Sequence, residues 1–109
     1  MKVLFDQGTP VPLRHALSGH AVETAFERGG SELQNGALLA AAEQAGFDVF
    51  ITTDRNLKYQ QNLVGRRLAV VVLRSTSWPR LQRVLPAIVA AAAGAAPGSY
   101  IEVGVIDSA

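Results

Sequence analysis

Cysteine is absent from the 109 residues of the chain. Its absence excludes disulfide bonds, thiolate metal sites and a cysteine nucleophile. Long apolar runs are missing too, since the stretch from Leu85 to Ala96 is too short and too rich in alanine to span a bilayer. The apolar run near the start stops at Asp6, which is shorter than a secretory signal requires. We therefore expect a soluble, cytoplasmic protein that does not enter membranes.

Several common catalytic signatures are also missing. The sequence contains no glycine-rich dinucleotide-binding motif, no phosphate-binding P-loop and no serine-hydrolase elbow. Its two histidines, His15 and His20, lie on either side of a glycine and do not share one helix face. These gaps disfavour nucleotide binding through those motifs, serine-hydrolase chemistry and a histidine metal pair.

Hydrophobic residues make up 49% of the chain, enough for the core of one domain covering residues 1–109. Predicted strands cover residues 2–5, 20–25, 48–53, 68–73 and 100–106, and predicted helices cover 9–17, 35–45, one turn at 56–61, and 77–93 with a break near Pro86. Thr9 and Asn35 are the predicted N-caps of the first two helices, and Gly46 is a natural stop. The alternation predicts an α/β fold with a mainly parallel central sheet and a three-layer α/β/α arrangement.

Two of the predicted strands end in an aspartate, at Asp6 and at Asp54. Ligands of open parallel sheets bind beyond the carboxyl ends of the strands, near a switch in strand order. If these two strands are neighbours, the carboxylates converge and repel each other unless a cation lies between them. Magnesium fits, because it is held by one or two carboxylates together with water and phosphate oxygens. The alternative is structural: Asp6 caps a turn and Asp54 forms an Asx-turn.

Positive charge is concentrated after the second aspartate. The stretch from Arg55 to Arg83 contains no Asp or Glu, and its basic residues are Arg55, Lys58, Arg66, Arg67, Arg74, Arg80 and Arg83. This asymmetry fits a polyanionic partner such as RNA, although solvated helix and loop charges would give the same pattern. Closest to Asp54, we predict that Arg55 and Lys58 contact RNA phosphates and that Thr53 bonds a phosphate or a metal-bound water.

Four segments, taken in order, resemble the small PIN-like domains of bacterial and archaeal genomes. They are LFDQGTPVPLR at 4–14, GHAVETA at 19–25, NGALLAAAEQAG at 35–46 and FITTDRNL at 50–57, and the likeness covers roughly residues 1–73. The resemblance implies a PIN-like fold, a ribonuclease ancestry dependent on Mg²⁺ or Mn²⁺, and kinship with toxin–antitoxin ribonucleases. It places the first family aspartate on Asp6 and the TxD aspartate on Asp54.

The chain departs from this family pattern at three positions where relatives often carry an acid. Gln7, Asn35 and Asn56 are amides instead. By the resemblance, Asn35 and Asn56 would complete the metal shell or orient a water. An amide oxygen can coordinate magnesium but adds no negative charge, so two carboxylates support one metal more readily than two.

Three functions follow from these patterns. The leading one is a Mg²⁺- or Mn²⁺-dependent ribonuclease, in the toxin-like form with an antitoxin partner. The second is a catalytically weakened PIN-like module that binds nucleic acid or a partner protein. The third, a receiver-like domain phosphorylated on Asp54, is disfavoured because an acidic pair near the first strand is missing and Arg74, not lysine, follows LAVVVL. A homodimer through the small apolar helix face at 89–96 or an exposed last strand is also expected.

Overall fold

Five short strands form one parallel sheet in the computed structural model, which describes residues 1–25, 27, 35–55 and 66–105. The strands are β1 (Lys2–Phe5), β2 (Ala21–Thr24), β3 (Val49–Thr52), β4 (Ala69–Leu73) and β5 (Tyr100–Val103). Their order across the sheet is β2-β1-β3-β4-β5, and every neighbouring pair runs parallel. The predicted α/β class and the mainly parallel sheet are confirmed, and β5 lies at an edge of this sheet as expected.

This strand order has a functional consequence. From β1 the chain passes to β2 on one side, whereas from β3 it passes to β4 on the other. The chain therefore leaves the carboxyl ends of β1 and β3 in opposite directions, which is the switch point where such sheets form a ligand-binding crevice. Phe5 pairs with Ile51 in the register of the two strands, so Asp6 and Thr52 come next to each other at that point.

Four helical segments accompany the sheet in the described part of the chain. They are a 3-10 helix (Val11–Leu17), α1 (Asn35–Gln44), α2 (Trp78–Gln82) and α3 (Leu85–Ala93). The prediction that Thr9 caps the first of them is wrong, because Pro10 is the N-cap and the segment is a 3-10 helix. The hydroxyl of Thr9 is bonded elsewhere, as described below.

The other helix boundaries follow the sequence closely. Gly46 lies two residues after the end of α1 and has a positive φ of 84°, a conformation that glycine adopts without strain and that stops the helix. The long helix predicted after Ser77 is divided into α2 and α3, and Pro86 lies in the first turn of α3. Proline is tolerated there because the first amides of a helix have no partner within it. The break predicted at Pro86 is thus confirmed.

Alternate strand residues pack into two separate hydrophobic clusters. One cluster joins the strands to the 3-10 helix, α2 and α3; it includes Val3, Phe5, Val49, Ile51, Val71, Leu73, Leu13, Leu17, Leu81, Ile88 and Ala92. The other joins the strands to α1; it includes Leu4, Phe50, Val70, Val72, Leu38, Leu39 and Ala42. By the same alternation, Asp6 and Thr52 belong to the side of the sheet that faces α1.

Some features predicted from the sequence depend on residues that the structure does not describe. The helical turn at 56–61 lies beyond the described residues. The prediction that the last strand reaches Ile106 is wrong, because β5 ends at Val103 and the next residues, Gly104 and Val105, lie outside the strand. Glycine weakens a strand and favours its end there. The complete three-layer arrangement stays a prediction, because residues 26, 28–34 and 56–65 are not described. None of the helices described in the remaining ranges is long and apolar enough to cross a membrane. The predicted homodimer also stays a prediction.

The centre of the sheet should dominate stability. Ile51 is fully buried in β3, between β1 and β4. We expect Ile51→Ala to lower the free energy of unfolding by about 2–5 kcal/mol, since it leaves a cavity in the core. Ile101→Ala, on the edge strand β5 at a partly buried position, is the matched control and should cost less. Urea denaturation of both variants measures the difference, and equal losses would contradict the packing described here.

Candidate functional site at the carboxyl ends of β1 and β3

The carboxylate of Asp6 is the centre of a hydrogen-bonded cluster just after β1. Its Oδ1 accepts from the backbone N–H of Gly8 at 3.1 Å and from the hydroxyl of Thr9 at 2.8 Å. Its Oδ2 accepts from the hydroxyl of Thr52, at the end of β3. The Asp6 backbone is fixed as well, because its N–H donates to the carbonyl of Ile51 at 3.1 Å. The side chain is therefore held in one place by both strands.

Thr52 connects the two aspartates. Its hydroxyl donates to Asp6 Oδ2 and accepts from the backbone N–H of Asp54 at 3.0 Å. Thr52 is almost completely buried, with 1% of its surface exposed, so a hydroxyl left without these partners would be costly. The carboxylate of Asp6 and the backbone of Asp54 are thus joined through a single side chain, and both aspartates are half-buried.

Thr9 supports the same cluster from the turn after β1. It is 3% exposed, and its hydroxyl lies 2.8 Å from Asp6 Oδ1 and 2.9 Å from the carbonyl oxygen of Ile51. One hydroxyl proton is shared between these two acceptors. This contact replaces the helix-capping role that the sequence suggested for Thr9, since the acceptors on Asp6 and β3 compete for its hydroxyl.

Gly8 allows the turn to approach β3 closely. A Cβ built on Gly8 would lie 2.5 Å from the hydroxyl oxygen of Thr53, closer than side-chain carbons pack. Thr53 therefore lies against the turn beside Asp6, and its position is consistent with its predicted role at the site. Glycine at position 8 therefore places a residue without a side chain at the point where the turn contacts Thr53.

The donor set fits one divalent cation better than two. Gly8, Thr9 and Thr52 occupy three of the roughly four acceptor positions of the Asp6 carboxylate. In residues 1–25, 27, 35–55 and 66–105, no group of three or more His, Cys, Asp or Glu side chains could hold a metal ion. Two carboxylates completed by water and substrate oxygens are still a sufficient set for Mg²⁺. The metal predicted at Asp6 and Asp54 is thus compatible with a single-ion site.

The remaining predicted site residues fall into two groups. Arg55 is exposed, directly after Asp54, at the same edge of the sheet. Asn35 begins α1, but its side chain is not described. Asn56 and Lys58 lie outside the described residues. The geometry therefore brings Asp6, Thr53, Asp54 and Arg55 to one edge.

A cleft of about 560 Å³ opens beside Asp6 toward β2. Its walls are formed by Asp6, Gln7, Thr9, Val11, Arg14, Thr24 and Glu27. Arg14 and Glu27 form an ion pair across it, linking the 3-10 helix to the segment after β2. Glu27 also accepts from the backbone N–H of Thr24 at 2.8 Å, and its own N–H donates to the Thr24 hydroxyl at 3.1 Å. This reciprocal pair has the form of a capping box.

The charge of Glu27 is stabilised by these neighbours. The backbone N–H of Thr24 and then the Arg14 guanidinium hold the pKa of Glu27 below its ordinary value. The carboxylate therefore stays ionised beside the cleft at neutral pH. The cleft wall next to Asp6 carries one fixed negative and one fixed positive charge, oriented by the fold.

Sequence reasoning missed Thr9, Thr52, Arg14 and Glu27. Thr52 lies within the strand predicted at 48–53, and its partner Asp6 is 46 residues away in the chain. The T-x-x-E spacing of Thr24 and Glu27 was a local signal that could have identified the capping pair. No comparable local signal indicated the ion pair with Arg14.

Comparison with known proteins adds no family to this picture. No protein-family model matches the chain, and neither does any curated protein or solved structure. The resemblance to PIN-like domains therefore stays a prediction from the motifs.

The hydroxyl of Thr52 should contribute measurably to stability. Thr52→Val keeps the shape of the side chain but removes the donor to Asp6 and the acceptor for the Asp54 N–H. We expect a loss of about 1–3 kcal/mol in the free energy of unfolding, because buried polar partners lose their bonds. Thr76→Val, at an exposed position, is the matched control and should change little. Chemical denaturation that finds both variants equal would contradict the bridging role.

The contribution of Glu27 should depend on pH with a definite sign. Because its pKa is lowered in the folded state, the carboxylate stabilises the fold above the ordinary glutamate pKa of about 4.3. That stabilisation is lost as the pH falls through the lower, folded-state pKa. A double-mutant cycle of Arg14→Gln and Glu27→Gln should therefore show a favourable coupling at pH 7 that declines as the pH is lowered through the acidic range. A coupling independent of pH would be inconsistent with the ion pair.

Proposed function

We propose that the carboxyl edge of β1 and β3 is a single-metal phosphodiesterase site acting on RNA. The observation that carries this proposal is the connection of Asp6 and Asp54 through the hydroxyl of Thr52. It orients the Asp6 carboxylate and holds the backbone of Asp54 at the switch point of a parallel sheet, where ligands of such sheets bind. The motif resemblance to PIN-like ribonucleases supports the same chemistry.

In this proposal, Asp6 and Asp54 hold Mg²⁺ or Mn²⁺. When bound, the ion supplies charge stabilisation for a phosphoryl transition state and lowers the pKa of a bound water. Gly8, Thr9 and Thr52 keep the Asp6 carboxylate in a fixed orientation, so little reorganisation is needed during the reaction. Thr53 orients a phosphate oxygen or a water, and Arg55 and Lys58 hold the RNA backbone. Asn35 and Asn56 are proposed to complete the site with amide oxygens.

A second candidate function is a module that binds RNA or a partner protein without cleaving it. The specific observation in its favour is the bonding of Asp6, whose two oxygens accept three hydrogen bonds from described residues. A carboxylate engaged in this way is also a structural clamp between β1 and β3. Salt-dependent RNA binding with no metal-dependent cleavage would favour this candidate over the nuclease.

The biological setting is proposed from the same resemblance. A toxin-like ribonuclease would act on cytoplasmic RNA and would be held in check by an antitoxin, and a homodimer would be a suitable form for such a complex. Co-purification with the product of the neighbouring gene, followed by loss of cleavage in the complex, would support the toxin role. Cleavage unaffected by any such partner would count against it.

Cleavage of a fluorescent single-stranded RNA in the presence of Mn²⁺ tests the nuclease directly. Asp6→Asn and Asp54→Asn should each lower the rate by a factor of about 100 or more, since each removes half of the metal's charge compensation. Asp48→Asn is the matched control, because Asp48 is an exposed aspartate at the opposite edge of the sheet, where it accepts from the N–H of Lys2. Its rate should stay within about twofold of wild type.

Folding has to be measured for the same variants, since Asp6 also stabilises the turn. Asp6→Asn that stays folded by circular dichroism and loses cleavage supports the proposal. Equal cleavage by wild type and both site variants would overturn it, and so would activity unaffected by a chelator.

A further inference from the structure

A second, basic pocket lies on the same edge of the sheet, beyond β3, β4 and β5. It has a volume of about 200 Å³ and is lined by Arg55, Arg74, Gly104 and Val105. Arg74 directly follows β4, and Gly104 directly follows β5. Adjacent strands are about 4.8 Å apart, so the pocket adjoins the end of β3 that carries Asp54. The sequence placed Arg74 in the basic stretch that fits a polyanion, but it predicted a specific phosphate contact only for Arg55.

The position of Arg74 is fixed by the sheet. Its backbone N–H donates to the carbonyl of Val103 at 3.0 Å, which continues the pairing of β4 with β5. Its Nε lies 4.0 Å from Glu102 Oε1, at the limit of an ion pair, and both side chains are partly exposed. A pair of this length in contact with water is weak, so Arg74 keeps most of its capacity for another anion.

Arg55 supplies the second positive charge. It is exposed, and the ion pairs among the described residues do not include it. Two guanidinium groups that line one small pocket repel each other unless an anion lies between them. Guanidinium groups bind phosphate oxygens through paired hydrogen bonds, which makes phosphate the appropriate anion for this pocket.

Gly104 leaves the third side of the pocket open. A Cβ built on Gly104 would meet no atom within 4 Å, and its φ is not in the left-handed region. Neither strain nor crowding therefore requires glycine at this position. The missing side chain leaves room for a ligand in the pocket that the two arginines also line.

We propose that Arg55 and Arg74 bind a backbone phosphate of single-stranded RNA, next to the phosphodiester held at Asp6 and Asp54. This inference rests on the proposed function for the choice of RNA, because Arg55 directly follows Asp54. The inference also defines the path of the bound RNA. The RNA passes along the carboxyl edge of the sheet, from the end of β1 past β3 and β4 toward β5. The phosphate contact does not need the metal, so it persists when cleavage is prevented.

Binding of a fluorescein-labelled single-stranded RNA 12-mer, measured by anisotropy in EDTA at several KCl concentrations, tests this site. Arg74→Ala should weaken binding about tenfold and reduce the slope of log affinity against log salt by about 0.7, the value for one phosphate contact with a single strand. Arg67→Ala is the matched control. Arg67 is an exposed arginine just before β4, at the opposite edge, and its loss should leave affinity and slope close to wild type.

Gly104 offers a second, sharper comparison. Gly104→Glu places a carboxylate in the pocket, whereas Gly104→Gln places a neutral side chain of the same size there. The glutamate variant should bind RNA at least about tenfold more weakly than the glutamine variant, and both should fold because the position is open. Equal affinities for the two, or equal affinities for Arg74→Ala and Arg67→Ala, would overturn the assignment.

The outcomes separate this inference from the proposed function. If no cleavage is found but Arg74→Ala and Gly104→Glu weaken RNA binding as expected, the nuclease proposal fails and the phosphate site is supported. If cleavage depends on Asp6 and Asp54 while Arg74→Ala and Gly104→Glu bind RNA normally, the phosphate site fails alone. Competition with inorganic phosphate forms a further arm. Gly104→Glu that abolishes the binding of inorganic phosphate while leaving the affinity for RNA unchanged is the decisive result of this arm. That result would assign the pocket to free phosphate and overturn the RNA assignment.

Discussion

The hydroxyl of Thr52 is the interaction on which the rest of the site depends. It donates to the Asp6 carboxylate on β1 and accepts from the Asp54 backbone on β3, so one buried group orders both strand ends. The register of β1 and β3 is what brings the three residues together. A slip of one residue would turn Thr52 to the other face of the sheet and dissolve the cluster. Burial of the surrounding strands holds that register, because β3 is buried at every position.

Three regions follow one another along the carboxyl edge of the sheet, with the Thr52 cluster in the middle. Next to β2 lies the cleft with the Arg14–Glu27 ion pair. At the centre lie the two aspartates, and toward β5 lies the basic pocket with Arg55 and Arg74. Negative charge is therefore concentrated at the switch point and positive charge on one side of it. A metal at the centre would convert the acidic zone into a cation site, and the whole edge would then present itself to a polyanion.

Local patterns in the sequence predicted the ends of β1, β3 and β4 closely, because each of these strands is a short, mostly apolar run followed by a polar residue. They also predicted the break before Pro86 and the stop at Gly46, which depend on backbone chemistry alone. The pairing of Thr52 with Asp6 could not be predicted in this way, since it depends on strand order and register across 46 residues. For the same reason Thr9 was assigned to a helix cap, although its hydroxyl is held by β3. Arg74 belonged to the basic stretch in the sequence, but its place in one pocket with Arg55 and Gly104 depends on the order of β3, β4 and β5.

The central claim is that Asp6 and Asp54 hold one cation between them. A crystal structure of the wild-type protein grown with Mn²⁺, with data collected for the anomalous signal of manganese, tests it most directly. The account predicts a single anomalous peak bonded to oxygens of both carboxylates, with its remaining ligands supplied by water or amide oxygens. A manganese bound to neither aspartate, or the three hydrogen bonds to Asp6 unchanged with no peak beside it at saturating Mn²⁺, would contradict the account and leave Asp6 as a structural clamp.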